Sequence, residues 1–252
     1  MNGCGRHSSN DHSINRFIQY GREKNWWRTG RTFIHLCNNQ LFRNTVLDDK
    51  SVLDIGAGKG LYSLWAALNG ARKVVALEPS LAGSRNVYSN RDMIEAMRFL
   101  GVNNIELFPV SFQDYDVAME KFDVILLKDS INHLSEHACV ELQHNINARD
   151  EYLAIFRKIR NLMMPDGIVI ITDCSNRNFF FDLKLYNPMA PTIDWDKHQF
   201  PTLWKELLYQ SGFKKVKIDW LSPSYLFMMH YVLDNALASY FTNSKFRIEA
   251  RI

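Results

Sequence analysis

The chain has 252 residues, 46% of them hydrophobic and 23% charged, and a formal net charge of +3. This is an ordinary globular balance with room for a sizeable core. So small a charge, with no dense Lys/Arg block, argues against nucleic acid as the main partner, although Arg22, Lys24, Arg28 and Arg31 lie close together near the N-terminus.

Residues 1–13, MNGCGRHSSNDHS, are polar and lack the apolar centre of a secretory signal. They are expected to form a flexible tail. From Ile14 to Asn39, apolar and aromatic residues recur at helical spacing, with a break near "GREKN", which predicts two N-terminal helices. Strand and helix then alternate. Val52–Ile55 reads as a strand, 61–68 as a helix, Lys73–Leu77 as a strand, and 86–100 as a helix ended by Gly101. Strands are expected at Ile105–Val110 and Phe122–Leu127. Residues 136–164 read as largely helical with a break near Asn147, then a Pro165-Asp166-Gly167 turn and a strand at Ile168–Thr172. Short, continuously apolar runs suit strands buried on both faces.

Residues 179–199 lack periodicity and predict a long loop over the strand ends, where function often sits. A helix at 201–210 stopped by Gly212, a strand at 214–220, a helical segment at 226–241 and a last strand at 245–251 complete the pattern. The expectation is an α/β fold, a doubly wound, mostly parallel seven-stranded sheet with an N-terminal helical cap over 14–45. A single domain over 14–252 is expected, with a substrate-side excursion at 173–200. No apolar run approaches the roughly 20 residues that cross a bilayer. Cys4, Cys37, Cys139 and Cys174 form no C-x-x-C pair and read as thiols of a reducing compartment. A soluble, cytoplasmic protein without a membrane partner is expected.

"SVLDIGAGKGLYSL" places Gly56, Gly58 and Gly60 in G-x-G-x-G between a strand and a helix. Such a turn lets backbone approach a ligand closely. The P-loop string G-x-x-x-x-G-K-[ST] is absent. The dinucleotide fingerprint needs Gly or Ala three residues after its second glycine, and Leu61 stands there. A nucleoside triphosphate or a dinucleotide is therefore disfavoured. Glu78 follows Gly58 by 20 residues at the end of the second strand, where a carboxylate can accept two ribose hydroxyls.

With "VLDIGAGKG", "VVALEPS", "FPVSFQDYD", "FDVILLKDSINHL", "LMMPDGIVIITD" and "WKELLYQSGFKKVKI" in this order, the chain resembles the class I S-adenosylmethionine-dependent methyltransferases over about 51–219. The resemblance implies S-adenosylmethionine as cofactor. It implies that Gly56, Ala57, Gly58 and Gly60 form the turn against it, that Asp54 orients its amino group, and that Glu78 and Pro79 meet its ribose. Ser111, Phe112 and Gln113 would lie at the adenine, Lys128 and Asp129 where the fourth strand opens onto cofactor and substrate. Tyr20 and Arg28 would close over the cofactor.

A general base helps deprotonate a hydroxyl acceptor. His133, whose ordinary pKa suits neutral pH, is the first candidate, with Asp129 and His198 behind it. Residues 173–208 look similar to methyltransferases of surface-polysaccharide and other glycan pathways. That likeness implies a small acceptor, such as a sugar hydroxyl, a sugar nucleotide or a phosphorylated precursor, met by Asn176, Arg177, Asn178 and His198. Trp26, Trp27 and Trp195 are candidate stacking faces or, equally, core. Competing readings are a methyltransferase acting on protein or tRNA and a non-catalytic cofactor-binding subunit. "HLSEH" also fits H-x-x-E-H, with His133 and His137 on one helix face as zinc ligands and Glu136 between them. No metal is expected on the favoured reading.

Overall fold

The computed structural model describes residues 4–27, 29–79, 89–116 and 120–252, with no side-chain detail for 4–11 and 89. It is an α/β fold with a seven-stranded mixed sheet. The expected 14–252 domain comprises two compact units that meet in sequence at Asp116/Val117.

In the first unit, helices α1 (Cys4–Glu23) and α2 (Gly30–His35) precede a π-helical turn at Leu36–Leu41. Residues 4–13, within the segment expected as a tail, belong to α1. Extending a helix already nucleated costs far less than starting one. The break after Glu23 stands where "GREKN" predicted it, and Asn25 takes a positive φ of 56°. Gly21 lies inside α1, where glycine costs about 1 kcal/mol relative to alanine. A Cβ there would come within 2.0 Å of the Trp27 ring, so the glycine admits the indole. Trp27 stacks on Phe33 at 4.3 Å and meets Phe17 edge-on at 5.2 Å.

Strands β1 (Ser51–Ile55), β2 (Lys73–Leu77) and β3 (Ile105–Phe108) lie in the order β3-β2-β1, all parallel. Helices α3 (Leu61–Leu68) and α4 (Ser89–Leu100) connect them. The expected start of the second helix at Asn86 falls outside the described residues. Ile55 registers with Leu77 and Leu77 with Phe108, so the strands end level and their loops leave from one edge. Val52, Leu53, Ile55, Val74, Val75, Ala76 and Leu77 are buried, each large aliphatic side chain contributing roughly 1.5–3 kcal/mol.

In the second unit, β4 (Phe122–Lys128) pairs in parallel with β5 (Met163–Cys174). β7 (Lys245–Arg251) runs antiparallel between β5 and β6 (Lys215–Leu221), in the order β4-β5-β7-β6. The predicted Pro165-Asp166-Gly167 turn lies within β5 instead. Phe122 pairs with Met163 and Val124 with Ile168, so the extra residues form a bulge. A Cβ on Gly167 would lie 2.9 Å from the Met164 carbonyl oxygen, which is why the bulge carries glycine.

The helical 136–164 segment divides into α5 (Glu136–Glu141) and α6 (Ile146–Asn161). The break precedes Asn147, because the Asn145 side chain caps α6 by accepting the Asn147 N–H at 2.9 Å. The 179–199 excursion holds a short helix, α7 (Phe179–Asp182), and a 3-10 turn at Trp195–Lys197. Helix α8 (Pro201–Gln210) has Pro at its start, where its missing N–H costs nothing. The 226–241 helix is instead a 3-10 stretch at Ser224–Met229 followed by α9 (His230–Leu233) and α10 (Ala236–Tyr240). Asn235 interrupts it by capping α10 through the Ala238 N–H at 3.0 Å.

Candidate functional site

In the first unit the glycine turn grows directly out of β1. Gly56, Gly58 and Gly60 all take positive φ, at 75°, 55° and 71°, a region that other residues enter at a cost. The N–H groups of Gly56 and Ala57 donate to the Leu77 carbonyl at 2.9 and 3.0 Å, tying the turn to the end of β2. The Gly58 N–H donates to Glu78 Oε2 at 2.7 Å. Asp54 is buried and its Oδ2 accepts from Ser63 Oγ at 2.6 Å, which fixes β1 to α3.

Gly58 and Gly60 differ in what surrounds them. A Cβ on Gly60 would lie 2.3 Å from Met93 Sδ, so this glycine serves packing; a Cβ on Gly58 meets nothing within 4 Å among the described residues. Open space therefore lies beside the Gly58 backbone, next to a buried carboxylate that the same backbone holds. That cradle fits the hydroxyl-rich, cationic and phosphate-free S-adenosylmethionine. Its buried acids, Asp54 and Glu78, and the lack of the P-loop string in the sequence suit neither a triphosphate nor a pyrophosphate.

Of the other residues expected at the cofactor, Phe112 is buried and Gln113 exposed. Ser111 donates its hydroxyl to Asp114 Oδ2 at 2.6 Å and accepts the Asp114 N–H, closing the loop after β3. Tyr20 is buried and stacks on Phe99 at 4.7 Å. Pro79 follows Glu78 as the last described residue before Ser80, and Arg28 lies outside the described residues. Trp26 and Trp27 belong to the aromatic packing around Phe17 and Tyr20.

In the second unit, Lys128 and Asp129 stand at the end of β4. Asp129 takes a φ of 54° and its Oδ2 pairs with Lys128 Nζ and, at 3.0 Å, with Lys245 Nζ. Thr172 Oγ1 donates weakly to Oδ1 at 3.4 Å. Burial pushes this carboxyl upward and the two ammonium groups pull it down. Its side chain keeps 41% exposure, which favours the ammonium groups, and the net shift is well below the usual carboxylate range. Such a carboxylate is a poor proton acceptor and a firm anchor for two lysines.

His133 ends a 3-10 turn at Ile131–His133 and is 57% exposed, its Nδ1 lying 2.7 Å from Glu136 Oε1. The bond from His133, opposed by partial burial and aided by Lys197 at 3.3 Å, lowers the Glu136 carboxyl. His137 faces Glu141 at 3.5 Å. The zinc-helix expectation is corrected here. His133 precedes α5 and His137 lies within it, so the two do not share a helix face. Among the described residues no group of three or more His, Cys, Asp or Glu is placed to hold a metal.

His198 is buried, 8% exposed, and its Nδ1 lies 3.0 Å from Oδ1 of Asp173, which is 1% exposed. Burial lowers the His198 pKa, while Asp173, Asp129 and Asp194 raise it; the net shift is upward. Asp173 stands within the fifth-strand segment "LMMPDGIVIITD", the sequence signal that could have singled it out. Asn176 follows it, with an Oδ1 that is buried and lacks a hydrogen-bond partner among the described residues.

Arg177 points its Nε at Asp182 Oδ2, 3.1 Å away. Asn178 is fully buried. Its Nδ2 donates to the Tyr240 and Thr242 carbonyls and to Ser244 Oγ, and its Oδ1 accepts from Asn187 Nδ2 and the Phe180 N–H. Asn178 thus ties the excursion to the segment before β7 and leaves polar contacts to Asn176 and His198. Trp195 is buried beside Phe181, their ring centroids 6.3 Å apart.

The model of a methyltransferase domain family matches residues 13–222. Among curated proteins, the chain is 24% identical over 174 residues to a "Protein N-terminal and lysine N-methyltransferase EFM7" of Kluyveromyces lactis, covering 60% of this chain and 64% of the relative. It is 31% identical over 94 residues to a "Ribosomal protein L11 methyltransferase" of Prochlorococcus marinus, covering 36% of this chain and 29% of that one. The chain therefore spans less than two thirds of the length of these relatives. Among solved structures, the PH0226 protein of Pyrococcus horikoshii shares the fold with a TM-score of 0.60 at 17% identity, over 89% of this chain and 92% of that one. A SAM-dependent methyltransferase of Aquifex aeolicus does so with a TM-score of 0.53 at 15% identity, over 81% and 83%.

Proposed function

This chain belongs to the methyltransferase domain family, and from that premise we propose that it is an S-adenosylmethionine-dependent methyltransferase acting on a hydroxyl of a small polar acceptor. The acceptor class is a sugar, a sugar nucleotide or a phosphorylated precursor. The observation that carries the cofactor reading is the open space at Gly58 beside the Gly58–Glu78 hydrogen bond. Bound S-adenosylmethionine supplies an activated methyl group on a sulfonium.

The chain's own residues do the rest. Gly56, Ala57 and Gly58 give it bare backbone. Glu78, aimed by the Gly58 N–H, accepts the ribose hydroxyls, and Asp54 keeps the turn in register through Ser63. On the acceptor side, Asn176 Oδ1, without a hydrogen-bond partner among the described residues, offers a buried acceptor to a substrate hydroxyl, and buried polar groups are rarely left unmade. Holding the acceptor in line can itself supply much of the rate.

Two curated relatives, the EFM7 protein and a yeast "Protein arginine N-methyltransferase 1", favour a second reading in which the acceptor is a protein. The test is transfer of a tritiated methyl group from S-adenosylmethionine to glucose 6-phosphate, UDP-glucose and a denatured protein lysate in parallel. Label in either sugar supports the small-molecule reading. Label confined to protein replaces it with the second, and label in none overturns both.

A further inference from the structure

The second unit buries an acid and an imidazole together at the end of β5. A carboxylate taken from water must be paired or hydrogen-bonded. Asp173 is 1% exposed, yet neither of its oxygens makes a well-aligned hydrogen bond among the described residues. Its ion-pair partner is His198 Nδ1 at 3.0 Å, lying off the ideal hydrogen-bond direction. Catalytic contacts commonly align only once substrate is bound.

Two other ionisable groups near Asp173 are held neutral by burial. Burial foremost pushes the Cys139 thiol up to about 12, and it likewise pushes the Tyr152 hydroxyl far up, so both stay neutral beside Asp173. Asn132, on the turn before α5, adds another buried Oδ1 without a partner among the described residues. Buried polar atoms on Asn132, Asp173, Asn176 and His198 that lack an aligned hydrogen bond among the described residues are what a polar ligand would satisfy, since native interiors leave few such atoms.

We propose that His198 and Asp173 form the acceptor-side base of this enzyme, with His198 the catalytic residue that takes the proton from the acceptor hydroxyl and Asp173 the positioning residue behind it. The inference rests on the methyltransferase reading above. Alignment of Nδ1–H with Asp173 on substrate binding selects the tautomer whose Nε2 lone pair is the base. As the acceptor oxygen forms its bond to the methyl carbon, its proton passes to Nε2. The carbon–sulfur bond breaks with its electron pair left on sulfur. The imidazolium, held beside Asp173, then gives the proton to water. His133 is less suited, because it is exposed and its Nδ1 is engaged by Glu136.

The charged groups around His198 are Asp173 on β5, Asp129 after β4 and Asp194 before the 3-10 turn. Removing Asp173 should therefore lower the His198 midpoint. The test uses the full chain with labelled histidine, comparing wild type with Asp173→Asn by NMR titration, with S-adenosylhomocysteine calorimetry on the same samples. The expected result is a His198 midpoint lower by about one pH unit or more in Asp173→Asn, with the kcat–pH profile moving acidward by the same amount. His198→Gln should lower kcat about 100-fold or more, on whichever acceptor serves the wild type, with S-adenosylhomocysteine affinity kept.

An unmoved midpoint in Asp173→Asn overturns the proposal, as does wild-type kcat in His198→Gln. Should His198→Gln not fold, His198→Asn and the Asp173→Asn titration decide the matter. A wild-type protein that fails to bind S-adenosylhomocysteine overturns the methyltransferase reading itself, whatever the titration shows.

Discussion

Replacing Glu78 by alanine separates a cofactor site from a mere tight turn. The carboxylate is buried and accepts the Gly58 N–H at 2.7 Å. A hydrogen bond to a charged group contributes about 1.5–3 kcal/mol, so loss of this one alone should destabilise the protein by about 2 kcal/mol. If Glu78 also accepts two ribose hydroxyls, ligand binding loses at least one further bond of that size. At 1.4 kcal/mol per factor of ten, S-adenosylhomocysteine affinity should fall at least about tenfold. Glu78→Gln keeps an oxygen for the Gly58 N–H but not the charge, and should recover most of the stability and only part of the affinity. Calorimetric titration with S-adenosylhomocysteine and thermal unfolding of both variants supply the two readouts. A folded Glu78→Ala protein that binds within about twofold of wild type would refute the assignment.

Gly58→Ala and Gly60→Ala should part company. Both place alanine at positive φ, at a cost of roughly 1–2 kcal/mol, but only the Cβ at 60 meets Met93. Gly58→Ala should therefore melt nearer to wild type yet bind S-adenosylhomocysteine at least about tenfold more weakly, and the opposite ranking in paired melting and binding curves would contradict the cradle. Asp129→Asn tests the lysine anchor, since asparagine tolerates the left-handed backbone there. A carboxyl with a depressed folded-state pKa contributes stability above its unfolded value, near 3.9, and loses it as pH falls through the folded value. The gap in urea stability between wild type and Asp129→Asn should thus narrow from pH 7 to pH 3; a constant gap counts against ionised pairing with Lys128 and Lys245. Asn178→Ala takes the side-chain donor from the Tyr240 carbonyl, while the Thr242 carbonyl keeps Asn187 Nδ2 at 2.7 Å, at about 1–3 kcal/mol for the group left unmade. It should lower the melting temperature by roughly 2–12 °C, and a melting curve superimposable on wild type would remove Asn178 from the scaffold.

The candidate cofactor turn was legible as a structural feature because it is local in sequence. A strand, three glycines and an acid at the next strand end lie within residues 51–78, and parallel pairing of β1 with β2 brings Ile55 level with Leu77. Helices 61–68 and 201–210 and strand 245–251 were legible for a similar reason, since periodicity, proline and glycine act within one element. His133 shows the limit. Its position after β4 resembles an acceptor-side residue, yet only the structure reveals the bond to Glu136 and the exposure.

Asp173 and His198 stand 25 residues apart, joined by an excursion without periodicity, and nothing local couples them. Arg247 makes the same point: the alternation in "KFRIEAR" turns it toward the polar face of β7, but it is 1% exposed beside Asp219 and Glu249. The sequence by itself determined the element order, the glycine turn and the chemistry of its ligand, because backbone conformation and apolar spacing are properties of short segments. The tertiary structure decided which polar side chains are buried, which of them meet, and which are left with an unmade hydrogen bond, because burial and pairing depend on surfaces contributed by segments far apart in the chain.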